Sequence, residues 1–232
     1  MAILMRVWIS AVFLVICTLH PVFAMDTVNS GGSSAETGNG LTNGKTALMY
    51  AARKRQYARV LRLLQEGADV NRVNQTGGTP LMYAVLGGDP RTVTLLLVHG
   101  ADVNARAENG WSAVMIAAAK GYAEIMKLLL EKGADPDLQD VYHWTPLMRA
   151  GFENRASIVE LLLQDERVEV NRRGENGITA LHLAAVKGHA EIARLLLGHG
   201  ADRRIKDSAG RTAYQIALER QLPNLVNMLG NL

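Results

Sequence analysis

The chain has 232 residues, of which 48% are apolar, and this is the composition of a folded protein rather than of a disordered one. Its formal net charge is only +3. Proteins that neutralise many phosphates carry a strongly basic face, so this weak excess argues against nucleic acid or an anionic membrane as the main partner. A single cysteine, Cys17, excludes an intramolecular disulfide.

The first residues have the pattern of an export signal. Arg6 precedes a largely apolar run over residues 7–19, which is shorter than the ~20 residues that a helix needs to cross a bilayer. We predict a signal peptide over residues 1–24, with cleavage after the small residue Ala24 and no stable membrane insertion afterwards. Lipidation at Cys17 is the alternative, and Ile16 disfavours it because a small residue is required there.

Residues 25–40 are rich in Gly, Ser, Thr and Asn and predict a flexible leader. The chain then becomes periodic. A segment that begins with Thr or Ser and ends with Ala recurs in steps of 33, 33, 33, 34 and 33 residues, at 46–51, 79–84, 112–117, 145–150, 179–184 and 212–217. A Gly-Ala-Asp marker keeps the same period at 67–69, 100–102, 133–135 and 200–202. Six units therefore fill residues 41–232 and start near 41, 74, 107, 140, 174 and 207.

These two markers resemble the ankyrin-repeat family over everything after the leader. The resemblance implies an all-α repeat solenoid of helix-turn-helix units with β-turn fingers. The residues agree with it independently, because Thr79 can cap a helix whose first position is Pro80. Positions where the first helix must end carry residues that tolerate a positive φ: Gly88, Gly121, Asn154 and Gly188.

Two irregularities stand out in the repeats. Residues 164–168 replace a glycine turn and add the residue behind the 34-residue step, so we expect the next finger to be reshaped. Methionine recurs where the family often has histidine, at Met49, Met82, Met115 and Met148. We interpret these methionines as core residues, with a copper-binding ladder as the alternative.

We expect neither an enzyme nor a bound cofactor or metal, because the common nucleotide-binding, zinc-protease and nucleophile motifs are missing. Four histidines occupy positions that the family uses for local hydrogen bonds: His99, His182, His189 and His199. His143 stands in place of a finger glycine near Asp135, Asp137 and Asp140, which leaves a metal site as a minor alternative. Asn74 begins a glycosylation sequon, which matters only in a eukaryotic host.

The resemblance implies that a protein partner binds the concave surface made by the fingers and the first helices. Trp111 and Trp144 directly precede capping residues on adjacent fingers and should project close together, unless they only shield the neighbouring finger. Phe152 occupies a position that usually faces solvent, although a rotated helix would place it in the core. The predicted partner-binding residues are Arg106, Trp111, Tyr142, Trp144, Arg149, Phe152 and Arg173.

These features together predict an exported, monomeric module that binds a protein. We expect a periplasmic location, with secretion as the alternative. An immunity or inhibitor protein and an accessory factor for an exported enzyme both fit this description. A secreted effector that binds a host protein is a second class, and a metal or small-molecule carrier or an enzyme is a third.

Overall fold

The computed structural model describes residues 45–230. The chain divides into two units, Met1–Gly40 and Leu41–Leu232, and the described residues all belong to the second. The predicted signal peptide and leader lie outside the described residues.

Within residues 45–230 the structure contains twelve α-helices and no strand. Each first helix is followed by a tight turn and a second helix, and a longer segment that contains a finger leads to the next pair. The bounds are α1 Ala47–Arg53, α2 Tyr57–Gln65, α3 Pro80–Gly87, α4 Pro90–Val98, α5 Ala113–Lys120, α6 Ala123–Glu131, α7 Pro146–Phe152, α8 Ala156–Leu163, α9 Ala180–Lys187, α10 Ala190–Gly198, α11 Ala213–Glu219 and α12 Pro223–Gly230.

The helix ends follow the local chemistry predicted from the sequence. The hydroxyls of Thr79 and Thr145 accept hydrogen bonds from the backbone N–H three residues later, at 3.3 and 3.2 Å, and a proline follows each threonine. Asn154 takes the left-handed conformation, with φ 57°, where other units have Gly88 or Gly121. The predicted start and stop signals are therefore confirmed.

The helix pairs stack so that each first helix packs against the first helix of the next unit, as α1 does against α3 and α5 against α7. The four methionines lie in this stack and are at most 1% exposed, which confirms their packing role. In α6, Ile125 and Leu129 are buried, whereas Leu128 and Leu130 are half-buried. The apolar side chains of α6 are therefore core along one stripe of the helix only.

The fingers are joined to one another by backbone hydrogen bonds. Each bond runs from an N–H at one fingertip to a carbonyl of the preceding fingertip. The bonds are Glu108 to Thr76 at 3.0 Å, Val141 to Asn109 at 3.2 Å, Glu175 to Tyr142 at 2.9 Å and Ser208 to Asn176 at 2.8 Å. This ladder holds the fingers in one regular series.

The extra residue between α8 and α9 is taken up directly after Leu163, where α8 ends. The next finger does differ from the others, as expected, because Asn176 and Gly177 both have positive φ, of 59° and 71°. At the equivalent positions in three other fingers, Asn74, Asp140 and Asp207 carry an acceptor side chain that binds backbone N–H groups of its own turn. In the finger of Ala107, the side chain of Asn109 accepts from Trp111 N instead. Gly174 has no side chain to do this, and its turn closes with two successive residues of positive φ.

Candidate protein-binding face

The predicted binding residues separate into a buried group and an exposed group. Trp111, Trp144 and Phe152 are only 6%, 7% and 7% exposed, and Arg149 is equally buried at 7%. Tyr142 is half-buried, and Arg106 and Arg173 are exposed. The predicted residues are therefore divided between the interior of the repeats and their surface, a distinction that the sequence did not predict.

Arg149 is the centre of the buried group. Its guanidinium carbon lies 4.8 Å from the ring centroid of Trp111 and 4.4 Å from that of Trp144. The two tryptophans of adjacent fingers are therefore close together, as predicted, with a cation between them. Arg149 also forms an ion pair with Asp140, whose side chain is fully buried.

Asp140 is the residue that the sequence reasoning missed. Its Oδ1 atom accepts hydrogen bonds from the backbone N–H groups of Tyr142 and Trp144, both at 2.9 Å, so it shapes the finger as well as neutralising Arg149. Among the residues that the structure describes, no group of three or more His, Cys, Asp or Glu side chains is placed to hold a metal ion.

Asp140 in the finger and Arg149 in the first helix are nine residues apart, and a bonded pair with this spacing also occurs in another unit. Asn74 donates its amide N–H to the hydroxyl of Tyr83 at 2.9 Å, as Asp140 bonds to Arg149 in the fourth unit. The third unit has Ala107 and Ile116 at these positions, an apolar pair. In these three units the finger residue and the helix residue match in polarity, whereas the sixth unit combines Asp207 with the apolar Ile216 and pairs Asp207 with Arg211 instead.

This pairing also bears on the sequon. The amide nitrogen of Asn74 is the atom that glycosylation would modify, and it lies buried against Tyr83 in the folded chain. Burial raises the pKa of the Tyr83 hydroxyl, while Arg53 and the hydrogen bond from Asn74 act in the opposite direction. Asn74 is therefore part of the packing of its finger.

The expectation that Phe152 is exposed is wrong. Its ring packs edge-on against Trp144, with centroids 5.3 Å apart, and the Lys187 ammonium of the next unit lies 4.5 Å from its centroid. The covering groups come from a finger and from a neighbouring helix pair, so the helical pattern around Phe152 does not reveal them. Phe152 therefore lies in the core, which is the position that the alternative interpretation gave it.

Burial changes the role of four predicted residues. Trp111, Trp144, Arg149 and Phe152 form an internal stack that fixes two fingers against α7, and they expose too little surface to provide most of a partner contact. The hydrophobic fingertip beside them is different, because Val141 is 52% exposed. The surface available at this finger is therefore Val141 with the half-buried Tyr142.

A second exposed feature is a row of equivalent finger positions: Val73, Arg106, Gln139, Arg173 and Lys206, here called the finger row. Each bond along it runs from a side chain to the backbone carbonyl at the same position of the next finger. Arg106 Nη2 bonds to Gln139 O at 2.5 Å, Gln139 Nε2 to Arg173 O at 3.4 Å, and Arg173 Nη2 to Lys206 O at 2.8 Å. These bonds hold the row in order.

The histidines behave as local hydrogen-bonding groups. His99 and His199 each bond through Nδ1 to the carbonyl four residues earlier, at 2.8 and 2.9 Å, and His189 bonds to Phe152 O at 3.2 Å. Burial lowers the pKa of His182, which lies between Thr179 and the carbonyl of Arg211. His143 has a φ of 60°, so it replaces a finger glycine in conformation as well as in sequence.

Comparison with known proteins agrees with the helix pairs and fingers. A family model described as ankyrin repeats, three copies, matches residues 24–107, 81–174 and 157–231. The chain belongs to the ankyrin-repeat family. Ankyrin repeats are protein-interaction modules, and the fold class predicted from the sequence is confirmed.

Individual relatives share only part of their length with this ankyrin-repeat chain. The bovine tRNA endonuclease ANKZF1 is 43% identical over 51 residues, which are 22% of this chain and 7% of that protein. The human NAD-capped RNA hydrolase NUDT12 is 42% identical over 60 residues, 26% of this chain and 13% of the relative. The NF-kappa-B inhibitor cactus of Drosophila yakuba is 41% identical over 58 residues, 25% of this chain and 12% of the relative.

The chain therefore spans at most 13% of the length of these relatives, and each likeness covers about a quarter of this chain. No helix among residues 45–230 has the length and apolar character required to cross a membrane.

Proposed function

We propose that this ankyrin-repeat chain is an exported module of six repeats that holds a protein partner through its finger face and has no catalytic role of its own. The finger face is the surface formed by the finger row and the fingertips. The observation that supports it most is the regular finger row. Side-chain bonds from Arg106, Gln139 and Arg173 to the next finger hold the row in order, yet the side chains differ from unit to unit.

Residues that only pack should be similar from unit to unit, and one inner position of the first helices behaves in this way in the first four units, where Met49, Met82, Met115 and Met148 are all buried. Along the finger row the side chain changes from Val73 to Arg106 to Gln139. Positions that are held rigidly and vary freely are suited to recognising a partner, because little conformational freedom is lost on binding.

Export is supported by Arg6, by the apolar run over residues 7–19 and by Ala24 at the expected cleavage position. We place the mature protein in the periplasm, with secretion as the alternative. A monomeric binder in that compartment fits either an immunity or inhibitor protein or an accessory factor for an exported enzyme. The similarity to a protein named as an inhibitor favours the first of these two roles.

The proposal is tested by affinity capture from the native host with the purified chain, followed by mass spectrometry. A finger-face variant with Arg106→Ala, Val141→Ala and Tyr142→Ala is compared with a variant of the second helices, Arg62→Ala and Lys127→Ala. We expect a specific protein that the first variant loses and the second retains, at unchanged helix content. Equal capture by both variants would reject the finger face as the binding surface.

A further inference from the structure

The finger row combines position, charge and rigidity in a way that suits one class of partner. Three of its five members are cations, Arg106, Arg173 and Lys206, and none is an anion. The whole chain has a formal charge of only +3. The row is therefore a concentrated line of positive charge on a protein that is otherwise near balance.

The two arginines of the row are pre-organised. Each is exposed and uses Nη2 to bond to the carbonyl of the next finger, so its long side chain lies along the stack. A guanidinium has five N–H donors in a fixed plane, and one nitrogen is engaged in the row. The remaining donors are suited to a carboxylate, with which guanidinium groups form two parallel hydrogen bonds.

We propose that the finger row binds an extended acidic segment of the partner protein, an inference that rests on the proposed function and names its partner class. Neighbouring units stack with their helices roughly 10 Å apart, so the cations of adjacent fingers lie about 10 Å apart. Arg173 and Lys206 occupy adjacent fingers, whereas Arg106 and Arg173 are separated by the finger of Gln139.

An extended chain advances about 3.3 Å per residue, so three residues span one unit and six span two. The segment should therefore carry Asp or Glu at three positions, with steps of about three and six residues between them in either chain direction. Gln139, in the intervening finger, is matched by a polar residue. The fingertip glutamates Glu108 and Glu175 repel acidic groups that are out of line with the cations, and this repulsion helps to fix the register of the bound segment.

The test is selection of a random peptide-display library on the immobilised full chain. The charge variant is Arg106→Gln with Arg173→Gln and Lys206→Gln. Glutamine at the two arginine positions keeps an N–H donor for the next carbonyl, as Gln139 already shows, so the row loses charge while its bonds remain possible. The matched control removes three exposed cations from the second helices, Arg62→Gln, Lys127→Gln and Arg194→Gln.

We expect selected peptides to be enriched in Asp and Glu at the predicted steps. The charge variant should bind them at least about tenfold more weakly and the control variant should bind within about twofold, with affinity falling as salt rises. The inference would be overturned if the selected peptides bound the charge variant as tightly as the unsubstituted chain, or if they showed no enrichment in Asp and Glu.

Other outcomes separate this inference from the proposed function. Peptides that are apolar or basic, and that are lost with Val141→Ala and Tyr142→Ala, would reject the acidic segment while leaving the finger face as a protein-binding surface. A single-stranded oligonucleotide that binds through the three cations at physiological salt would assign the row to nucleic acid and contradict both. A library that yields no selected peptide at all would also count against both.

Discussion

The buried pair of Asp140 and Arg149 gives the sharpest prediction about stability. The Asp140 side chain is 0% exposed and that of Arg149 is 8% exposed, so neither charge is solvated by water if its partner is removed. Removing one member of such a pair typically costs 3–5 kcal/mol, on the order of a large core mutation. Replacing both by a matched neutral pair should cost about 1 kcal/mol or less.

The chain itself supplies the matched neutral pair, because Asn74 and Tyr83 occupy the equivalent positions and bond to each other. We therefore predict that Asp140→Asn alone and Arg149→Tyr alone each lower the free energy of unfolding by roughly 2–4 kcal/mol. Asparagine keeps the acceptor for the N–H groups of Tyr142 and Trp144, so the finger turn is preserved in each variant that carries it.

The double variant should recover most of the loss and give a coupling energy of at least about 3 kcal/mol in a double-mutant cycle. The assay is denaturant unfolding followed by tryptophan fluorescence. The two tryptophans of the described residues, Trp111 and Trp144, both contact Arg149, so the signal reports on this site. The prediction would be refuted if the stability losses of the two single variants simply added in the double variant, or if Asp140→Asn alone left the free energy of unfolding unchanged.

Three further predictions concern pH, a single carboxylate and processing. Burial keeps the folded-state pKa of His182 below its usual value, so the unfolded chain takes up the proton first and the free energy of unfolding should fall as the pH drops below about 6.5. His182→Gln should flatten this pH profile of stability, and a variant whose profile is unchanged would contradict the prediction. Burial raises the pKa of Asp137, whose Oδ1 has no hydrogen-bond partner among the described residues although Oδ2 accepts from Glu169 N. Asp137→Asn should therefore raise the free energy of unfolding by about 1 kcal/mol at neutral pH, and this gain should shrink in acid as the folded carboxyl takes up its proton. A loss of stability at neutral pH would contradict the assigned burial penalty. N-terminal sequencing of the exported protein should begin at Met25, and retention of Arg6 would exclude the predicted cleavage.

Features that depend on neighbours in sequence were predictable. The threonine caps, the prolines after them and the left-handed Asn154 are each set by a few consecutive residues, and the period of 33 repeats them. The packing of Met148 follows from the same regularity. Local chemistry therefore specifies the unit, and repetition specifies the stack.

Features that depend on contacts between units were only partly predictable. The burial of Phe152 requires Trp144 from the preceding finger and Lys187 from the next unit, and its own helix gives no sign of either. The Asp140–Arg149 pair did have a signal, because Asn74 and Tyr83 show the same spacing of nine residues. An arginine in a row otherwise occupied by Tyr83, Ile116 and Leu183 was the second sign.

The exposed part of the site was predicted by residue but not by arrangement. Arg106 and Arg173 were named as partner-binding residues from the sequence, whereas their bonds to Gln139 O and Lys206 O appear only in the folded stack. Those bonds turn separate finger residues into one row, and that row is the basis of the partner assignment.

The most direct test of the central claim is photo-crosslinking in the native host. A benzophenone amino acid is placed at Val141 or Lys206 on the finger face and, as the control, at Lys127 or Arg194 on the second helices, all of which are exposed. The account predicts that the finger-face positions crosslink to one partner protein and that the second-helix positions do not. Crosslinks from the second helices alone would contradict it and would place the partner on the opposite side of the repeats.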